Sequence, residues 1–121
     1  MAVIGVGVDM VDVARLAQVL TRTPSVVERV FGDEPVVVTD TAVVRRLAGR
    51  FAAKEAATKA LGAPGGTRWR EIEVENEPGG RPRLVVHGHT AAAEARAGIV
   101  HWHVSITHDA GMAVAVVVAE S

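Results

Sequence analysis

The chain has 121 residues with 13 basic and 14 acidic side chains, a formal net charge of -1, 49% hydrophobic residues and no cysteine. This length fits one domain, residues 1–121, and the composition excludes a largely disordered state and an overall positive field for nucleic acid or an anionic membrane. The absence of cysteine excludes disulfides, thiol nucleophiles, iron–sulfur clusters and thiolate zinc sites, and is compatible with a cytoplasmic location.

Ala2 to Val8 is short, apolar and β-branched and predicts a buried strand that ends at Asp9. No positive charge precedes it, so it does not read as a signal peptide, and no stretch reaches the ~18 uncharged apolar residues of a membrane helix. Gly5-Val6-Gly7 lies inside the strand, and Met10 stands where a dinucleotide fingerprint needs its third glycine. These glycines therefore read as points of close backbone packing. Met10 to Leu20 carries Val13, Leu16, Ala17 and Leu20 at helical spacing, with Asp9 or Asp12 as its cap and Thr23-Pro24 as its stop. A short helix through Val27 and Val30 follows, then a loop from Gly32 to Pro35.

Thr39-Asp40-Thr41 is a capping cluster for the longest helical pattern, Ala42 to Leu61, which Gly62 and Pro64 close. Gly49 inside it costs about 1 kcal/mol relative to alanine and points to a close contact. Ile72 to Asn76 and Arg83 to His87 read as a hairpin around Glu77-Pro78-Gly79-Gly80. Thr90 is the expected cap of a short Ala-rich helix that Gly98 closes. His101 to Thr107 and Met112 to Ala119 read as a second hairpin, turning at His108-Asp109-Ala110-Gly111. Hairpins mixed with helices predict an α+β fold. Aromatic residues are only 3% of the chain, so the core is built from Val, Ala, Leu and Ile, and a small core of small side chains favours association.

Several clusters are candidates for chemistry. Asp9 stands where strand meets helix and either reaches into a cleft or caps the helix, the cap being the commoner role. Glu55 and Lys59 share a helix face among Ala52, Ala56 and Ala60, small residues that leave room for a ligand; on spacing alone they read as a solvated ion pair. His101, His103 and Ser105 share one strand face, but a zinc site needs further ligands, so this reads as a polar face. Ser105, His108 and Asp109 lie too close in sequence for a catalytic triad, and their donors suit a phosphate better than an acyl group.

Three motifs occur in an order that resembles the small bacterial 4′-phosphopantetheinyl transferases, the holo-[acyl-carrier-protein] synthase family. They are Gly5-Val6-Gly7-Val8-Asp9 with Arg15, Arg50-Phe51-Ala52-Ala53-Lys54-Glu55-Ala56 continuing to Lys59-Ala60-Leu61-Gly62, and Val104-Ser105-Ile106-Thr107-His108. A Gly80-Arg81-Pro82 turn also matches, and the resemblance spans residues 3–119. The long central motif is specific, whereas the glycine-rich start alone is weak. Two stretches depart from the family pattern: Gly62-Ala63-Pro64-Gly65, beside the nucleotide loop, and residues 32–46, which bear on adenine or carrier contacts.

The resemblance implies a 4′-phosphopantetheinyl transferase-like fold, an antiparallel sheet packed with a long central helix, assembled as a homotrimer with active sites between subunits. It implies Mg²⁺-dependent transfer of the phosphopantetheine arm of coenzyme A to a serine of an apo acyl carrier protein, with release of adenosine 3′,5′-bisphosphate. Asp9 and Glu55 match the metal-binding carboxylates, and Lys59 is placed to hold the diphosphate and stabilise the leaving group. Arg50, His108, Ser105 and, more weakly, Arg83 are candidates for coenzyme A phosphates. Glu55 acting through a water is the first candidate base and Asp109 the second. Arg15 and Arg22 are candidates for docking the acidic carrier. A non-catalytic module that binds coenzyme A or a carrier protein is the alternative, and a purely structural domain is the third reading.

Overall fold

The structure is a computed structural model that describes residues 1–32 and 36–121. Of the expected loop from Gly32 to Pro35, all but Gly32 lies outside the described residues. The elements are β1 (Val3–Asp12), α1 (Val13–Arg22), α2 (Ser25–Phe31), α3 (Thr41–Ala60), a 3₁₀ turn (Trp69–Glu71), β2 (Ile72–Asn76), β3 (Pro82–Val86), α4 (Gly88–Ala97), β4 (His101–Asp109) and β5 (Met112–Glu120). β1, β5 and β4 form an antiparallel sheet in that order, and β2 and β3 form a separate hairpin. This is an α+β arrangement with α3 laid along the three-stranded sheet. No helix among the described residues is long and apolar enough to cross a membrane.

α3 starts because the Asp40 carboxylate accepts from the amides of Ala42 at 3.0 Å and Val43 at 3.3 Å. It buries nearly its whole inner stripe, including Leu47, Ala52, Ala53, Ala56 and Ala57. The alanines are explained by β1. A Cβ built at Gly5 would overlap the carbonyl oxygen of Ala60, and one at Gly7 would overlap that of Ala56. The expectation that Ala52, Ala56 and Ala60 leave room for a ligand is thus corrected, because all three lie buried in the core against the sheet. The glycines of Gly5-Val6-Gly7 are points of close packing, as read from the sequence.

Three local boundaries differ from expectation, each for a non-local reason. β1 continues past Asp9 because β5 supplies partners through Asp12, with Asp9 opposite Ala115 and Asp12 opposite Met112. α1 therefore begins at Val13, and its cap is Asp12, which accepts from the amide of Arg15 at 3.0 Å. β4 likewise continues through His108 and Asp109, and the turn is Ala110-Gly111 alone, at φ 50° and 75°. Thr90 does not cap α4; its amide and hydroxyl, with the amide of His89, donate to Glu71 from the preceding 3₁₀ turn. Those bonds and the charge of His89 outweigh desolvation, which pushes the Glu71 carboxyl up, and the net effect holds it below its usual range.

On the other face of the sheet, the part formed by β1 and β5 is apolar and open. Val6, Val8 and Met10 of β1 are 61%, 55% and 64% exposed, and Val116 of β5 joins them at 41%.

Candidate active site

Extending β1 releases Asp9 from capping duty and turns it toward α3. The Lys59 ammonium donates to Asp9 Oδ1 at 3.1 Å and to the carbonyl oxygen of Val8 at 3.0 Å. Lys59 thus reaches across to the strand, and the expected Glu55–Lys59 ion pair is replaced by a Lys59–Asp9 pair. Glu55, one turn earlier on α3, accepts at Oε1 from the indole Nε1 of Trp69. Among the described residues, Asp9 Oδ2 and Glu55 Oε2 accept no hydrogen bond.

Asp9 and Glu55 line one groove of ≈ 620 Å³, together with Arg15, Arg29, Phe51 and Trp69. Two carboxylates, each with an uncommitted oxygen, are a hard-oxygen donor set of the kind that suits Mg²⁺, which completes its octahedron with water and substrate phosphate. Among the described residues no three acidic or histidine side chains form a metal-holding cluster. His103 contacts Glu120 across the sheet, in keeping with a polar strand face.

A second cleft, of ≈ 220 Å³, shares no lining residue with the first. Arg46, Arg50 and His108 meet there beside Asn76 and Gly49. The His108 Nε2 lies 2.9 Å from the carbonyl oxygen of Arg45. A carbonyl only accepts, so Nε2 carries a proton and Nδ1 is the nitrogen left for another partner. Gly49 permits this approach: a Cβ there would sit 3.0 Å from both His108 Nε2 and Ile106 Cγ2.

The remaining sequence candidates fall elsewhere. Strand alternation puts Ser105 and Asp109 on the exposed face of β4, opposite to His108, so within one chain they join neither cleft. Arg83 stands directly across from Glu75 in the β2–β3 hairpin and donates to its carboxylate at 2.8 Å; that hydrogen bond and charge raise its already high pKa. Arg15 is on the groove wall, and Arg22 ends α1. The sequence reading missed Arg46, Lys54 and Trp69. Lys54 was legible as a neighbour of Glu55, but no spacing connects Trp69 to Glu55 across a loop.

A family model described as the 4′-phosphopantetheinyl transferase superfamily matches residues 5–117. The chain is 54% identical over 123 residues to a holo-[acyl-carrier-protein] synthase of Frankia casuarinae, with all of both chains covered. It is 50% identical over 122 residues to that of Streptomyces coelicolor, with 99% of each covered. Among solved structures, the ACPS–CoA complex of Chronobacterium ammoniagenes superimposes with a TM-score of 0.83 at 31% identity, covering 99% of this chain and 98% of that one. The Helicobacter pylori holo-[acyl-carrier-protein] synthase in complex with coenzyme A gives 0.78 at 30% identity, covering 95% and 99%.

Proposed function

The chain belongs to the 4′-phosphopantetheinyl transferase superfamily, among its holo-[acyl-carrier-protein] synthases, and on that premise we propose how its own residues work. It transfers the phosphopantetheine arm of coenzyme A to a serine hydroxyl of an apo acyl carrier protein, with Mg²⁺, and releases adenosine 3′,5′-bisphosphate. The observation that carries this reading is the pair Asp9 and Glu55, each anchored through one oxygen and uncommitted at the other, in one groove beside Lys59.

The serine oxygen bonds to the phosphorus that carries the pantetheine arm. The bond from that phosphorus to the bridging oxygen breaks, and the bisphosphate leaves with the electron pair. Asp9 and Glu55 would hold a Mg²⁺, which would neutralise diphosphate charge. Lys59 contributes a fixed cation for the leaving oxygens, oriented by Asp9 and the Val8 carbonyl. Glu55 takes the serine proton through an intervening water, because a carboxylate engaged by a cation is a weak base by itself. Asp109, on the far side of the sheet edge from this groove, is the less favoured base.

Arg50 and His108 offer a phosphate of coenzyme A charge-assisted hydrogen bonds in the second cleft. That cleft and the carboxylate groove are separate within one chain. The apolar outer face of β1 and β5 is an unpartnered surface suited to other copies. Together these support a homotrimer whose active sites join the groove of one subunit to the cleft of the next. Arg15 on the groove wall and Arg22 at the end of α1 present positive charge for an acidic carrier.

The test is to incubate the protein with coenzyme A, Mg²⁺ and an apo acyl carrier protein and to weigh the carrier. The expected result is a gain of one phosphopantetheine arm that chelation abolishes. Binding of coenzyme A without any gain on several carriers would replace this reading with a non-catalytic binding module.

A further inference from the structure

One turn of α3 grips Trp69 from three sides. Phe51 meets its ring edge-on, with centroids 5.9 Å apart at 71°. Lys54 donates to the Trp69 carbonyl oxygen at 2.8 Å and also to that of Ile72. The indole Nε1 donates to Glu55 Oε1. Lys54 is only 5% exposed, so its ammonium depends on such acceptors, and the 69–72 segment is pinned to the helix by them. Trp69 itself is 36% exposed and sits on the groove wall with Asp9 and Glu55. A tryptophan serving only the core would be buried; this one spends its single polar atom on a carboxylate at the groove.

We infer that Trp69 is a positioning residue for Glu55, holding the carboxylate with Oε1 committed to the indole and Oε2 turned free for a divalent cation. The inference rests on the reading of Glu55 as a cation ligand. A half-buried glutamate without such a partner still samples several rotamers, and that freedom must be given up on binding. Fixing one beforehand removes that cost, and partners that orient a ligating group commonly change metal affinity by roughly 10- to 100-fold. Lys54 and Glu55 are adjacent on α3, so the same turn sets both the backbone and the indole of Trp69.

Trp69→Phe keeps an aromatic ring and removes the N–H; Trp69→His keeps a ring N–H. Mn²⁺ binding is titrated by electron paramagnetic resonance with coenzyme A present and no carrier. The Phe variant is expected to bind Mn²⁺ about tenfold more weakly, with an unchanged melting midpoint and with kcat recovered at saturating metal. The His variant is expected to regain part of the affinity. In a Trp102→Phe background Trp69 is the sole tryptophan, and Mn²⁺ is expected to quench its emission. Wild-type Mn²⁺ affinity in the Phe variant, or no quenching, overturns the inference. Should the Phe variant melt lower, equal weakness in a His variant of matched melting midpoint also overturns it, whereas recovery supports it. Failure of the wild-type protein itself to bind Mn²⁺ overturns the cation reading of Glu55, and this inference with it.

Discussion

The carboxylate groove and the arginine–histidine cleft are built on the same helix by different kinds of contact. Beneath the groove, β1 lies backbone to backbone on α3, with Gly7 against the Ala56 carbonyl. Beneath the cleft, the approach at Gly49 is to side chains, the His108 ring and the Ile106 methyl. A backbone contact cannot yield without moving a strand, whereas a side chain can rotate away. The groove is therefore the rigid half, suited to holding reacting atoms in place, and the cleft is the adaptable half, suited to gripping a phosphate.

The sharpest way to break this division is to remove the carboxylates. Asp9→Ala and Glu55→Ala are each expected to lower kcat on the order of 10³-fold while circular dichroism and melting stay close to wild type. Near-normal turnover in either variant would take that residue out of the site. Arg50→Ala and His108→Ala are expected to raise the KM for coenzyme A about tenfold each, with kcat largely kept, because a charged hydrogen bond contributes ~1.5–3 kcal/mol. Mixing Asp9→Ala subunits with Arg50→Ala/His108→Ala subunits is expected to restore activity at low coenzyme A, since some shared sites then hold both intact halves. Without such rescue, groove and cleft do not meet between subunits.

Stability measurements sharpen the same contrast. Gly7→Ala is expected to cost about 3 kcal/mol by chemical denaturation, because its methyl meets backbone. Gly49→Ala is expected to be near neutral: tight contacts with His108 and Ile106 offset the ~1 kcal/mol helix gain of alanine over glycine. The smallest effect lies away from both sites. The lowered Glu71 carboxyl stabilises the start of α4 above the ordinary carboxylate range, and that contribution is lost as pH falls through its lowered folded value. Melting against pH is expected to show a slightly shallower acid limb in Glu71→Gln than in wild type.

Much of the fold was legible because its signals are local. Asp40 and Gly62 bracket α3 to within a residue of the expected helix, and Gly98 at φ 76° closes α4 as read. The expected β2–β3 hairpin forms, with Ile72–Asn76 matched and β3 shifted by one residue to Pro82–Val86. The errors share one cause. The end of β1, the length of β4 and the cap of α4 were each decided by a distant partner: β5 for the two strands and Glu71 for the helix. Once β4 runs through Asp109, its two-residue period sends Ser105 and Asp109 away from His108, which no shorter strand required.

The sequence by itself determined most of the elements, the close packing at the β1 glycines and the motifs that carry the family resemblance, because spacing, caps and turns act over a few residues. Only the tertiary structure decided that Lys59 pairs with Asp9 instead of Glu55, that Trp69 holds Glu55, and that Arg50 and His108 occupy a cleft separate from the carboxylates. Those outcomes depend on strand register and on a loop folding back onto α3, and neither leaves a periodic trace in the chain.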